Sequence, residues 1–128
     1  MNTRTIEMFK YRIYGSVLES DIELPQLVSA DISEEAGLFL KKTVFSEEER
    51  QRYTAEDTVL GQKLSSFWND DLICVIQEGT TIIFEPASGS DPEKVRAFIL
   101  GYGMAMLFLQ RKMLAVHCSG IRVGDKAI

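Results

Sequence analysis

At 128 residues, 45% hydrophobic and 26% charged, the chain has an ordinary globular composition and room for one domain. Its formal net charge of −5 argues against a nucleic-acid-binding surface, which needs a basic face to neutralise phosphates. Met1–Lys10 carries no apolar segment of a secretory leader, so the expected location is the cytoplasm.

In chain order, Phe9 to Leu18 alternates well enough to predict a strand, with Phe9, Tyr11 and Ile13 on one side and Lys10, Arg12 and Ser16 on the other. Glu19, Asp21 and Glu23 then repeat with period two, which reads as an exposed strand face more readily than as a cation site. Pro25 keeps this stretch out of the centre of a sheet. Leu27–Ile32 and Gly37–Phe45 are further candidate strands, separated by the acidic turn Ser33-Glu34-Glu35. Ser46 and Glu49 fit a capping box, and Phe45 sits where a hydrophobic staple begins, so a short helix is expected over Glu47–Tyr53. Thr54 to Lys63 gives conflicting signals and stays open. Leu64–Trp68 reads as extended, and Asn69-Asp70-Asp71 as a turn whose side chains bond their own backbone. Leu72–Gln77 and Thr80–Phe84 form the clearest hairpin, joined at Glu78-Gly79; their nearly continuous apolar residues imply a central place in the sheet.

Ser90-Asp-Pro-Glu93 announces a helix over Asp91–Arg111, with Ser90 and Glu93 as a second capping box and Pro92 in the first turn. Val95, Phe98, Ile99, Tyr102, Met106 and Leu109 fall on one stripe, while Leu100, Met104, Leu107 and Phe108 make the other side apolar too, so deep burial is expected. Its apolar run, Ala97 to Leu109, is too short for a bilayer, which needs about twenty residues. Gly101 and Gly103 weaken a helix interior and predict close packing there. Leu114, Val116, Ile121 and Val123 are strand formers, Gly124-Asp125 supplies turn chemistry, and Lys126-Ala127-Ile128 starts a return strand. The chain thus reads as a fragment ending in mid-strand, with an edge through which it could pair with another copy. Cys74 and Cys118 lie in apolar patterns without zinc-ligand spacing and read as buried, reduced thiols.

The segment Leu114–Ile128, with His117, Ser119, Gly120 and Gly124-Asp125 between apolar positions, resembles the stretch leading into the phosphate-binding loop of the HPr kinase/phosphorylase-like family. Tyr11-Arg-Ile-Tyr-Gly15 and Glu19-Ser-Asp-Ile-Glu-Leu-Pro25 are similar, more loosely, to the opening strands of kinase-like members. The resemblance implies that the strand begun by Lys126 runs into a Gly-rich loop ending in Gly-Lys-Ser/Thr, which holds ATP with Mg. None of the nine glycines here is followed by Lys, so that loop is absent from this chain. The resemblance also places His117 beside the transferred phosphate, as the one catalytic candidate. His117 is the only histidine. Ser119 reads as strand packing, and no Gly-x-Ser-x-Gly elbow supports a Ser-His hydrolase.

The expected fold is α+β: a mostly antiparallel sheet with one long buried C-terminal helix in residues 1–112, then, in residues 113–128, the first β-hairpin of a truncated P-loop kinase-like core. The expected function is that of an N-terminal fragment of an ATP-dependent Ser/Thr kinase acting on a protein or peptide phosphoacceptor, silent by itself. No cofactor or metal ligand set is expected within the chain. The alternative is a non-catalytic binding or regulatory module working through its sheet or helix surface.

Overall fold

The computed structural model describes residues 8–113, together with 122–123 and 126–127. Phe9–Ile13 (β1) and Ser16–Ser20 (β2) form an antiparallel hairpin in which Ile13 pairs with Ser16. The single strand expected over Phe9–Leu18 is therefore folded in half. Tyr14 and Gly15 both take positive φ, 49° and 75°, and make the tight two-residue turn whose twist matches that of the strands. Tyrosine is itself a strand former, which hides this turn in the sequence.

Val28–Ser29 (β3) pairs with the far edge of β1, and Leu38–Lys42 (β4) runs parallel to β2. Burial alternates through Leu18, Ser20 and Leu24, which are buried, while Asp21 and Glu23 are exposed. The Tyr11 hydroxyl accepts from the Leu24 N–H at 2.8 Å and so satisfies a buried backbone donor at the end of this segment. Asp21 extends the contact between β2 and β4: its N–H donates to Leu40 O at 3.1 Å, and its Oδ2 accepts from Lys42 N at 3.0 Å.

The capping box is formed as the residue types demand. Ser46 Oγ accepts from Glu49 N at 3.1 Å, Glu49 Oε1 accepts from Ser46 N at 3.0 Å, and the helix they start is Glu47–Tyr53 (α1). Phe45 is buried against Tyr53, with ring centroids 5.3 Å apart. The ambiguous stretch after it contains the short exposed strand Thr58–Val59 (β5), followed by Leu64–Trp68 (β6), Leu72–Gln77 (β7) and Thr81–Pro86 (β8). Glu78 and Gly79 turn β7 into β8 with φ of 56° and 64°.

These strands make one eight-stranded sheet in the order β3-β1-β2-β4-β8-β7-β6-β5. Antiparallel pairings predominate, but β4 is parallel to both of its neighbours, so the sheet is mixed. Two hairpin systems, one from each half of the sequence, are joined at this parallel seam. Leu18, Leu38, Leu40, Ile82, Phe84, Cys74 and Ile76 belong to one apolar cluster with Ile99, Met104 and Leu107. Val75 and Phe45 are buried outside that cluster, so the sheet is covered on both faces where α1 meets β6 and β7.

The single long buried helix expected over Asp91–Arg111 is instead Pro92–Phe98 (α2), a π-helical turn Ile99–Gly103, and Met104–Gln110 (α3). Its cap is Asp91, not Ser90: the Asp91 carboxylate accepts from Glu93 N at 2.9 Å, with Pro92 opening the helix. In the π turn, Met104 N–H donates to Ile99 O, five residues back. That extra residue rotates α3 about the helix axis. Gly103, Met104, Leu107 and Phe108 turn inward, whereas Tyr102 and Leu109 of the expected stripe are 62% and 47% exposed. The helical segment is consequently one-sided. Gly103 packs against the sheet as expected, since a Cβ there would lie 3.4 Å from Ile82 Cδ1; Gly101 has open space around it.

Helix α3 ends in a Schellman motif. Met113 N–H reaches Phe108 O, Lys112 N–H reaches Leu109 O, and Lys112 takes the left-handed φ of 61°. Beyond it, Arg122–Val123 (β9) and Lys126–Ala127 (β10) pair antiparallel, Val123 opposite Lys126, as a separate two-stranded unit. No described helix is long and apolar enough to cross a membrane.

Candidate functional site

The most chemically distinctive concavity is a cleft of about 530 Å³ where the π turn passes β6 and β5. Its construction follows from three local features. Asn69 Oδ1 accepts from the N–H groups of Asp71 (2.8 Å) and Leu72 (3.2 Å), an Asx turn that leaves Asp70 exposed at the tip of the β6–β7 hairpin. Trp68 Nε1 donates to Glu56 O at 3.1 Å and its backbone N–H to Asp57 O at 3.3 Å, which ties the segment before β5 across the indole. The π turn places Tyr102 over Phe67, with ring centroids 5.9 Å apart, and parallel to Phe98 at 6.2 Å.

The result is a cleft in which Phe67 and Tyr102 meet on the helix-covered face of the sheet, bordered by Asp57, Thr58, Asn69, Asp70 and Met106; the ring of Trp68, the next residue of β6, projects from the opposite face, where Trp68 lines a separate hollow with Thr54, Ile73 and Glu85. No Lys or Arg among the described residues lines the cleft. Among the described residues, neither the Asp57 nor the Asp70 carboxylate has an ion-pair partner. Such a site suits a cation by charge and a planar or apolar group by shape.

A second cleft, of about 270 Å³, lies between β4, β8 and the start of α2. It brings Lys42 and Arg96 together with Glu23, and Arg96 Nε donates to the Glu23 carbonyl at 3.1 Å. Mixed charge and partial internal pairing give it no preference for one ligand sign.

His117, Ser119 and Cys118 lie outside the described residues. Cys74 is fully buried, and burial pushes its thiol far above the ordinary value, so it is an inert core group. Glu19, Asp21 and Glu23 do not converge on one point, since Asp21 is engaged with the backbone of β4 and Glu23 borders the second cleft. Among the described residues, no group of His, Cys, Asp and Glu side chains is arranged to hold a metal ion. The cleft residues Phe67, Trp68 and Tyr102 were visible only as strand and helix formers. What brings Tyr102 over Phe67 is the π turn, which no residue in the sequence announces.

On the opposite side, Arg50 of α1 grips Glu85 of β8 with two hydrogen bonds of 2.9 and 2.8 Å. This pairing holds the Glu85 carboxyl below the usual carboxylate range. A depressed folded pKa stabilises the fold above the unfolded value of about 4.3, and the gain disappears as pH falls through the folded pKa. Urea midpoints of the parent and Glu85→Gln should therefore differ modestly at neutral pH and converge in acid. A gap that stays constant across that range would show that Glu85 contributes nothing by its charge.

No protein-family model matches this chain, and neither a curated protein nor a solved structure matches it.

Proposed function

We propose that this chain is the N-terminal module of an HPr kinase-like phosphotransferase that acts in the cytoplasm on a Ser or Thr hydroxyl of a protein or peptide. The reading is supported by the resemblance of Leu114–Ile128 to the approach to a phosphate loop. The observation that carries it is the antiparallel pairing of β9 with β10, Val123 opposite Lys126, which fits the hairpin expected at that approach. Tyr11–Gly15 and Glu19–Pro25 supply the looser likeness at the opening strands.

The chain itself holds none of the residues that would bind ATP or Mg. No glycine is followed by Lys, so the nucleotide site belongs to residues beyond Ile128 in this reading. What the chain contributes is a folded sheet-and-helix unit and His117, placed by resemblance beside the phosphoryl group. The deciding experiment is to read the codons after Ile128. A Gly-rich loop ending in Gly-Lys-Ser/Thr within about ten codons supports the kinase reading, and a stop codon there removes it. In the longer protein, His117→Ala should slow phosphorylation of substrate, and an unchanged rate would remove His117 from the site.

A binding or regulatory module is the second reading, and the aromatic, acidic cleft beside Tyr102 favours it.

A further inference from the structure

We infer that the cleft at the carboxyl ends of β2, β4 and β8 binds a free α-amino acid with an apolar side chain. The inference is independent of the kinase reading, because every residue it uses lies between Ile22 and Arg96.

The topology makes the place. Strands β2, β4 and β8 lie side by side and parallel, so their carboxyl ends finish together at one end of the sheet. Open sheets with parallel strands take small ligands outside such ends, because the connections leaving neighbouring strands diverge there and open a crevice. Here the chain leaves β2 toward Glu23 and leaves β8 through the Ala87–Ser90 turn into α2, with Ser90 N donating to Ala87 O at 3.1 Å. The hollow between them is about 270 Å³. Pockets for drug-sized ligands begin at about 300 Å³, so this one fits a molecule of the size of a single amino acid.

Alternation along the strands brings its floor and its charges to one face. Lys41 lies over the Phe39 ring at 5.9 Å, and Glu85 is held by Arg50 of α1. The neighbours of Lys41 and Glu85, the register partners Lys42 and Phe84, therefore project from the other face, under α2. Phe84 and Val95 belong to the buried cluster and form an apolar floor, with Ile22 half-buried against them. Lys42, Arg96 and Glu23 stand around it. Arg96 Nε donates to the Glu23 carbonyl at 3.1 Å, which fixes the guanidinium at the cleft and leaves its terminal nitrogens for another acceptor. Among the described residues, none of these three charged side chains has an ion-pair partner. The Asp91 carboxylate is already engaged by Glu93 N at 2.9 Å.

Two cations and one acid around an apolar floor select no single sign; they fit a ligand that carries both. An α-carboxylate accepts from Arg96 and Lys42, an α-ammonium donates to Glu23, and an aliphatic side chain covers Phe84 and Val95. A peptide offers only one of the two charges at either terminal residue.

The test is a titration of the 128-residue chain at constant ionic strength, followed by the amide NMR signals of Lys42, Ser90 and Val95. The probes are L-leucine, N-acetyl-L-leucine without the ammonium, L-leucinamide without the carboxylate, and glycine without the side chain. L-leucine should move these signals saturably with a Kd of about 0.1–1 mM, and each of the other three should bind about tenfold more weakly. Glu23→Gln should weaken L-leucine about fivefold and leave N-acetyl-L-leucine unchanged; Lys42→Gln should do the same to L-leucine and leave L-leucinamide unchanged. Both positions are exposed, so the variants should keep the parent's circular dichroism. No saturable movement by about 20 mM L-leucine overturns the site. N-acetyl-L-leucine or L-leucinamide binding as tightly as L-leucine overturns the zwitterionic ligand, and glycine binding as tightly overturns the apolar one.

Discussion

Replacing Leu40 by Ala should destabilise the fold by about 3–4 kcal/mol, within the range for a leucine truncated in a core that cannot close over the gap. Leu40 is 1% exposed and stands in the middle of β4, between Ser20 of β2 and Ile82 of β8. Neighbouring strands on both sides fix its backbone, and the apolar cluster shared with Ile99 and Leu107 lies on its side chain. Relaxation into the vacated space is therefore small. A domain of this size has roughly 5–15 kcal/mol to lose, so the change is a large share of the total. Because β4 is the parallel seam between the two hairpin systems, the loss should appear as one cooperative transition shifted to lower urea, with the slope preserved. Val44→Ala is the control. Val44 lies just past the same strand but is 78% exposed, and its truncation should change stability by less than about 0.5 kcal/mol. Similar effects at the two positions would mean that β4 is not packed as described.

How much of this was legible from the chain depends on whether each feature was encoded locally. The α1 helix was, down to its first and last residues, because Ser46 and Glu49 satisfy each other's backbone donors within four positions. The β7–β8 hairpin was legible from Glu78-Gly79 for the same reason. The β1–β2 turn was not. Its first left-handed residue is Tyr14, whose own preference is for a strand, so only the pairing of Ile13 with Ser16 exposes it. Nor could any local signal set β4 parallel to β2 and β8, since the pairing joins residues widely separated in sequence and depends on which apolar faces meet.

The site was less legible than the fold, and the helix explains why. A 3.6-residue period put Tyr102 and Leu109 on the buried stripe. One π turn, with Met104 bonding back to Ile99, shifts the phase so that Leu107 and Phe108 take the inside and Tyr102 faces out over Phe67. Periodicity assumes a constant turn angle, and this helix does not have one. Tertiary packing decided the matter: Gly103 sits against Ile82 and Cys74, where a larger residue would be pressed on the sheet. The outward position of Tyr102 over Phe67 thus follows from a contact on the helix's other face.

Gln110→Ala should cost about 2–3 kcal/mol although it removes no core residue. Gln110 closes the far end of the same helical segment. Its Nε2 donates to Ile76 O at 3.0 Å and to Ser65 Oγ at 3.2 Å, while its Oε1 accepts from Gly79 N at 2.8 Å. One amide thereby joins α3 to β6, to β7 and to the β7–β8 turn. Truncation leaves the Gly79 donor and the Ile76 and Ser65 acceptors short of a partner, and each such group costs about 1–3 kcal/mol when sequestered. Ser65 keeps its exchange with Gly61, and Gly79 can recruit water at the turn, which brings the total down to or just below the lower end of the summed range. Gln110→Met separates hydrogen bonding from packing, because it keeps the length of the side chain and none of its polar groups. If the amide acts by its hydrogen bonds, Met should be nearly as destabilising as Ala, and amide hydrogen exchange at Gly79 should accelerate in both. A Met variant as stable as the parent would assign the effect to packing alone.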